Sequence, residues 1–161
     1  LPYPPVQPET HRKEYAYAML SNVGSDNSEM SAVSLYFYNS ILLSPQHAAF
    51  ARCFHQISIV EMHHLDIFAS FAHQMGLDPR LWSVQGGRSH YWTPAYNRYP
   101  QQLPALLQNA IQGELAAMGK SRRQAETIQD ANIVANLQRI IQDEEHHVRL
   151  FRSMLAEVAE T

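Results

Sequence analysis

From Gln46 to Met75 the chain runs for thirty residues without a proline or a glycine, bounded by Pro45 before and Gly76 after. These are the marks of one long helix. Proline fits the first helical position, Ser44 ahead of it is a good N-cap, and a glycine belongs just past the last turn. Nothing in the 161 residues alternates apolar and polar with a period of two over a useful length, so the helix has helical neighbours. A second helix is expected from about Asp26 to Leu43, with Met30, Val33, Phe37 and Ile41 as its apolar stripe. A third runs from about Leu103-Pro104 to Ile128, and a fourth from its N-cap Asp130 to about Val158. Residues 77–102 carry Pro79, Gly86, Gly87, Pro94 and Pro100 without a clear period and read as a long crossover covering something. Residues 1–9 hold Pro2, Pro4, Pro5 and Pro8 and must be extended; Thr10 then caps a short helix to about Leu20, punctuated by Gly24 and Ser25. Connections that run short, long, short predict an all-α four-helix bundle over 25–161, preceded by an N-terminal segment over 1–24.

Composition narrows the functions open to such a bundle. Twelve Lys and Arg against fifteen Asp and Glu leave a net charge of −3, with no positive surplus for a phosphate backbone, so nucleic acid is not an expected partner. Apolar runs such as Ile57 to Val60 fall far short of the ~20 residues that span a bilayer, and no membrane role is expected. Cys53 is the sole cysteine and reads as a small buried hydrophobe; it can form neither an internal disulfide nor a four-cysteine iron site. The opening residues lack the basic stretch and apolar run of a signal peptide, so a cytoplasmic location is expected. With Leu at position 1, the natural start is expected upstream.

Histidine is the unusual component: nine residues, four of them in the doublets His63-His64 and His146-His147. Each doublet follows a glutamate to give Glu-x-x-His, as Glu61/His64 and Glu144/His147. At i and i+3 on a helix the two side chains share a face, close enough for one ion to touch both. Chance alone gives roughly 0.6 such pairs at this composition, so two pairs are a modest excess, and the surroundings must decide whether they form a di-metal site. Glu29 precedes Glu61 by 32 residues and Glu114 precedes Glu144 by 30, each in the preceding helix; the two pairs themselves are 83 apart. That is the imprint of a duplicated hairpin. Ile57, Val60, Ile67 and Phe68 flank the first pair, Ile140, Ile141, Leu150 and Phe151 the second, and Ala110, Ile111, Ala117 and Met118 flank Glu114. Charged groups on apolar faces are buried, and buried charge is costly unless compensated. Four carboxylates carry four negative charges and two divalent cations carry four positive ones, so Glu29, Glu61, His64, Glu114, Glu144 and His147 read as one site for two metal ions.

Plainer readings stand beside this one. Asp26 and Glu29 match a capping box at a helix start. Glu114 alone could be a solvated helix residue, and Glu145 is expected to face solvent. His11, His47 and His90 fall in irregular stretches, His55 and His73 lie off the ligand face, and His63 and His146 are rotated one residue away from it. Asp143, one turn before His147, is either an exposed aspartate or the acceptor of that histidine's second ring N–H. Tyr36, seven residues after Glu29, shares its face; it is either a core aromatic or a catalytic hydrogen-bonding group beside the metals. The aromatic-rich stretch Ser89 to Tyr99 reads as a packed lid. If every Glu and His face were solvated, the chain would be a metal-free helical interaction module.

The ligand pattern resembles that of the ferritin-like superfamily, and the stretches Ser28 to Val33, Val60 to Leu65 and Asp143 to His147 look most like rubrerythrin-type and manganese-catalase-type domains. The resemblance covers about residues 25–158 and implies a bundle running up, down, down, up. It implies that Glu61 and Glu144 bridge two metals, that Glu29 and Glu114 are terminal ligands, and that His64 and His147 supply one nitrogen each. It further implies an oxidoreductase acting on H₂O₂ or O₂, with iron preferred over manganese. The alternatives within it are a ferroxidase-type iron-handling protein and a manganese-catalase-like enzyme. A peroxidase cycle would draw electrons from a separate donor protein, whereas a catalase would need none. A homodimer is the expected assembly.

Overall fold

The structure is a computed structural model and describes residues 1–160, so residue 161, the expected end of the bundle, lies outside the described residues. Five helices carry the fold: α1 (Lys13–Gly24), α2 (Glu29–Leu43), α3 (Ala48–Gln74), α4 (Leu103–Thr127) and α5 (Ala131–Ala159). The last four are the expected bundle, with α2 packed along α3 and α4 along α5. Among the described residues no helix is long and apolar enough to cross a membrane.

Two apolar layers fill the interior. One holds Leu35, Tyr36, Leu43, Phe54, Ile57, Leu106, Leu107, Ile111, Phe151 and Met154. The other holds Phe68, Phe71, Met75, Ile133, Leu137 and Ile140, and α1 closes it with Tyr15, Met19, Leu20 and Val23. The order of layers along each helix gives the topology. Going up the sequence, α3 and α4 pass from the first layer toward the second, whereas α2 and α5 run toward the first. The bundle is therefore up-down-down-up, and the α3–α4 link must travel its length. On every one of the four helices the proposed ligands fall beside or between these layers.

Helix ends follow local chemistry, with several departures from the sequence reading. Gly76 takes φ +99°, Leu77 N–H bonds to Ala72 C=O and Gly76 N–H to His73 C=O, the paired bonds of a Schellman stop. Ser44 is not an N-cap: it has helical φ and ψ and donates its N–H to Ile41, so it closes α2, and α3 starts only at Ala48. The Asp26/Glu29 capping box is absent, because Ser28 caps α2 by accepting from Ser31 N–H and Glu29 is the first helical residue. Thr10 does not cap α1, which starts at Lys13 and continues to Gly24. Its hydroxyl instead reaches Asp130 across the molecule. Of the stripe Met30, Val33, Phe37, Ile41, the last two face outward at 57% and 63% exposure and Met30 and Val33 are half-buried, while Leu35, Tyr36 and Leu43 point into the core. Apart from Glu29, α2 has no charged residue, so its apolar periodicity marks no single face.

The crossover contains a hairpin that the sequence reading missed, β1 (Trp82–Gln85) paired antiparallel with β2 (Arg88–Tyr91). Gly86 and Gly87 take φ +57° and +76°, the two left-handed positions of a tight two-residue turn. Its strands are four residues long and mostly exposed, so no alternation was required of them. The hairpin presses on the end of α1 at Gly24, where a Cβ would come within 2.5 Å of Trp82 N.

Asp130 ties the N-terminal segment to α5. One carboxylate oxygen caps the helix at Asn132 and Ile133 N–H; the other accepts from Glu9 N–H, Thr10 N–H and the Thr10 hydroxyl, each at 2.9 Å. Burial opposes its charge, but these donors together hold its pKa below the usual carboxylate value. A lowered folded pKa gives stability that is present above the unfolded value, near 4, and is lost as pH falls through the folded one. Asp130→Ala is expected to cost about 1–3 kcal/mol at pH 7. Urea melts of the two proteins should draw together below about pH 4; a gap unchanged by acid would mean the charge contributes nothing.

Candidate metal centre

Six side chains converge from four helices. Glu29 stands in the first turn of α2, Glu61 and His64 lie one turn apart on α3, Glu114 is on α4, and Glu144 and His147 are one turn apart on α5. All six are buried, none more than 6% exposed. They form two triads able to hold an ion, Glu29/Glu61/His64 and Glu61/Glu114/His147, whose ligand atoms lie within 4.8 Å of one another in each. Glu61 belongs to both. Its Oε2 is 3.0 Å from His64 Nδ1 and its Oε1 3.1 Å from His147 Nδ1. Glu29 Oε2 lies 3.7 Å from His64 Nδ1, and Glu114 Oε1 2.8 Å from His147 Nδ1. Glu144 joins neither triad, yet both its carboxyl oxygens are buried without a hydrogen-bond partner.

The charges confirm that this cluster is overcrowded with carboxylates. Burial first, and then the neighbouring Glu61, push the pKa of Glu29 and Glu114 well above the ordinary value; for Glu144 it is burial, then Glu114 and Glu61. Glu61 goes the other way. Against the effect of burial, its hydrogen bonds from Glu29 and the two histidines, with the charge of His64, hold its carboxyl well down. His64 is raised, because Glu61 and Asp143 outweigh its burial. Without metal, the cluster thus favours charge on Glu61 beside His64 and opposes it on Glu29, Glu114 and Glu144. Hard oxygen donors with one imidazole in each half suit iron or manganese. Glu144, with two oxygens that nothing else satisfies, completes a set that fits a pair of divalent ions.

A cavity of about 410 Å³ adjoins this cluster between α2, α4 and the crossover, lined by the buried Glu29, Glu61, Glu114 and Tyr36 and by Asn97 and the exposed Arg98 of the crossover. Asn97 donates to Ser31 C=O and the Ser34 hydroxyl, and Trp92 Nε1 to the Ser31 hydroxyl, so the crossover is fastened to α2 as a lid. Tyr36 is 2% exposed and packs edge-on against Phe151 at 5.5 Å. Burial and then Glu114 raise its pKa well above the usual value, so its hydroxyl stays a donor.

The remaining histidines, His11, His47, His55, His63, His73, His90 and His146, are exposed. Glu145 is only half-buried and pairs with Arg122 at 3.1 Å. Cys53 is half-buried rather than buried. Asp143 differs from both expectations. It neither faces solvent nor serves His147; its Oδ2 accepts from His64 Nε2 at 2.8 Å. The same carboxylate accepts from the Tyr3 hydroxyl, and Arg139 Nη1 lies 2.6 Å from its Oδ1. Helical spacing placed Asp143 near His147, but this contact crosses from α5 to α3, and no spacing rule reaches across helices.

The family model for rubrerythrin matches residues 25–155 of this chain. Among solved structures, one of KatB, a manganese catalase from Anabaena PCC7120, superposes with a TM-score of 0.87 at 17% identity, covering 96% of this chain and 77% of that one. A second, of wild-type KatB from Anabaena, gives 0.80 at 19% identity, covering 90% and 72%. At such identities the likeness speaks for the fold. No curated protein matches in sequence. With 131 of its 161 residues under the family model, on a bundle that assembles the six side chains at its centre, the chain belongs to the rubrerythrin family.

Proposed function

We propose that this protein holds two metal ions and acts as an oxidoreductase on H₂O₂ or O₂, with iron the first metal and manganese the alternative. The observation that carries the reading is Glu61, shared by two buried Glu/His triads, with the unpartnered carboxyl of Glu144 beside them. Glu29, Glu61, His64, Glu114, Glu144 and His147 would hold the ions, Glu61 being common to both triads and each histidine turning Nδ1 toward its triad. Two redox ions held side by side supply the electron pair that O–O cleavage requires.

The chain's own contribution is placement and proton control. Burial and mutual repulsion oppose charge on Glu29, Glu114 and Glu144, and two divalent ions would balance the four carboxylates and leave the centre close to neutral. Tyr36 presents a protonated hydroxyl on the cavity wall; it donates to the Ala110 carbonyl over a long 3.5 Å and would have to turn from it to donate to a small oxygen-bearing substrate. The lid narrows the approach at Asn97 and Arg98. A peroxidase cycle would draw its electrons from outside these residues, which carry a single cysteine, and a separate electron-donor protein is the proposed source. The outward Phe37 and Ile41 on α2 support a homodimer, and a cytoplasmic setting completes the reading.

Metal content by plasma mass spectrometry, on protein purified without an affinity metal column, is expected to show about two Fe or Mn per chain, as in a di-metal bundle. The double variant Glu61→Ala, His64→Ala should lose them. Peroxide consumption without added Fe²⁺ then identifies the enzyme, with O₂ release marking the catalase branch. Oxidation of added Fe²⁺ alone would favour iron handling. A chain that stays empty after anaerobic loading with Fe²⁺ and Mn²⁺ sinks the proposal and leaves a helical scaffold.

A further inference from the structure

We infer that the N-terminal segment is part of the metal site: Tyr3, acting through Asp143, orients His64 and makes the two ion positions unequal. This rests on the di-metal reading above. The Tyr3 hydroxyl and His64 Nε2–H both donate to Oδ2 of Asp143. A histidine whose Nε2 is committed to a carboxylate presents Nδ1 as its metal-binding atom, and Nδ1 of His64 faces Glu61 and Glu29. Tyr3 and Asp143 are therefore positioning residues for one ligand.

Tyr3 is held on every side. The Arg139 guanidinium lies 4.3 Å from its ring centroid, its ring stacks on His63 at 6.3 Å, and it meets the His64 ring edge-on at 6.1 Å. Arg139 also donates to the Leu1 carbonyl while binding the second oxygen of Asp143. Beyond Tyr3, the Pro5 carbonyl accepts from Asn132, Gln7 N–H donates to the same side chain, and Glu9 and Thr10 are fixed by Asp130. Four prolines in the first eight residues stiffen the strap before it docks.

The other half of the site lacks this support. Under the 83-residue repeat that relates Glu61 to Glu144 and His64 to His147, the counterpart of Asp143 is Val60, and that of Arg139 is Gln56. No carboxylate stands at the repeat position that would back His147. The position built on Glu29, Glu61 and His64 thus has a carboxylate-backed histidine tied to the strap, and the position built on Glu61, Glu114 and His147 does not.

The test is titration with Mn²⁺ alone, following free ion by its electron paramagnetic resonance signal. Wild-type protein is expected to take up two ions in two distinguishable steps. Asp143→Asn should weaken one step by about 10–100-fold. Tyr3→Phe, which keeps the ring, should weaken the same step by about 3–10-fold, the scale of one lost hydrogen bond. Tyr17→Phe, on the exposed side of α1, should leave both unchanged. In a Glu114→Ala background the surviving ion should remain sensitive to Tyr3→Phe; in a Glu29→Ala background it should not. Two indistinguishable steps in the wild type, or a Tyr3→Phe protein that shifts both steps alike or neither, would overturn the inference while leaving the di-metal reading intact. A wild type that binds no metal overturns both.

Discussion

Glu61→Ala is expected to empty both ion positions at once, whereas Glu29→Ala or Glu114→Ala should each leave about one ion in place, as expected when each ion keeps its remaining ligands. The asymmetry follows from geometry. Glu61 sends one oxygen to each histidine, at 3.0 and 3.1 Å, while Glu29 and Glu114 each approach only one. Losing a ligand common to both ions should lower affinity beyond the 10–100-fold typical of outer partners. The metal-free protein should suffer too. Glu61 is the carboxylate held ionised against His64, and breaking a buried pair costs about 3–5 kcal/mol. Glu61→Gln keeps the shape and separates the two effects: it should retain more of the metal-free stability than alanine yet still fail to hold two ions. Plasma mass spectrometry and urea melts on the three variants decide the matter. A Glu61→Ala protein that keeps one tightly bound ion would show that the glutamate is not shared.

The proposed ligands were legible because each pair sits within one helix. Glu61 with His64, and Glu144 with His147, are defined by a three-residue spacing that a helix turns into proximity, and the duplicated offset added Glu29 and Glu114. The apolar flanks gave the burial. What escaped depends on contacts between elements distant in sequence. The bond from His64 to Asp143 spans 79 residues and that from Tyr3 to Asp143 spans 140, and neither leaves a periodic trace. Charge could not locate the buried face of α2, which is apolar on both sides and carries one acid at its start. The β1–β2 hairpin was hidden for a different reason: its two glycines specify the turn, but strands this short and exposed need no hydrophobic pattern.

Glu144→Leu should make the metal-free protein more stable and the metal-treated protein less so. In the metal-free site both oxygens of Glu144 are buried without a partner, a burden of about 1–3 kcal/mol for an unsatisfied polar group. Leucine has a similar volume and no such requirement, so the metal-free variant should melt about 3–10 °C higher. Proton linkage adds a second signature. Burial, then the charges of Glu114 and Glu61, raise the folded pKa of Glu144 well above its unfolded value near 4.3. A raised carboxyl pKa means the folded state binds the extra proton, so its contribution is intact below the unfolded value and drains away as pH rises toward the folded one. The advantage of Glu144→Leu over wild type should therefore widen as pH climbs from about 4. Metal reverses the order. An ion at 100 times its dissociation constant stabilises the folded wild type by about 2.7 kcal/mol, and the leucine variant, short of one proposed ligand, should gain far less. Calorimetric melts with and without Mn²⁺ at three pH values test both signatures. If leucine destabilises the metal-free protein, Glu144 has partners within the fold itself, and its empty oxygens are not the mark of a metal ligand.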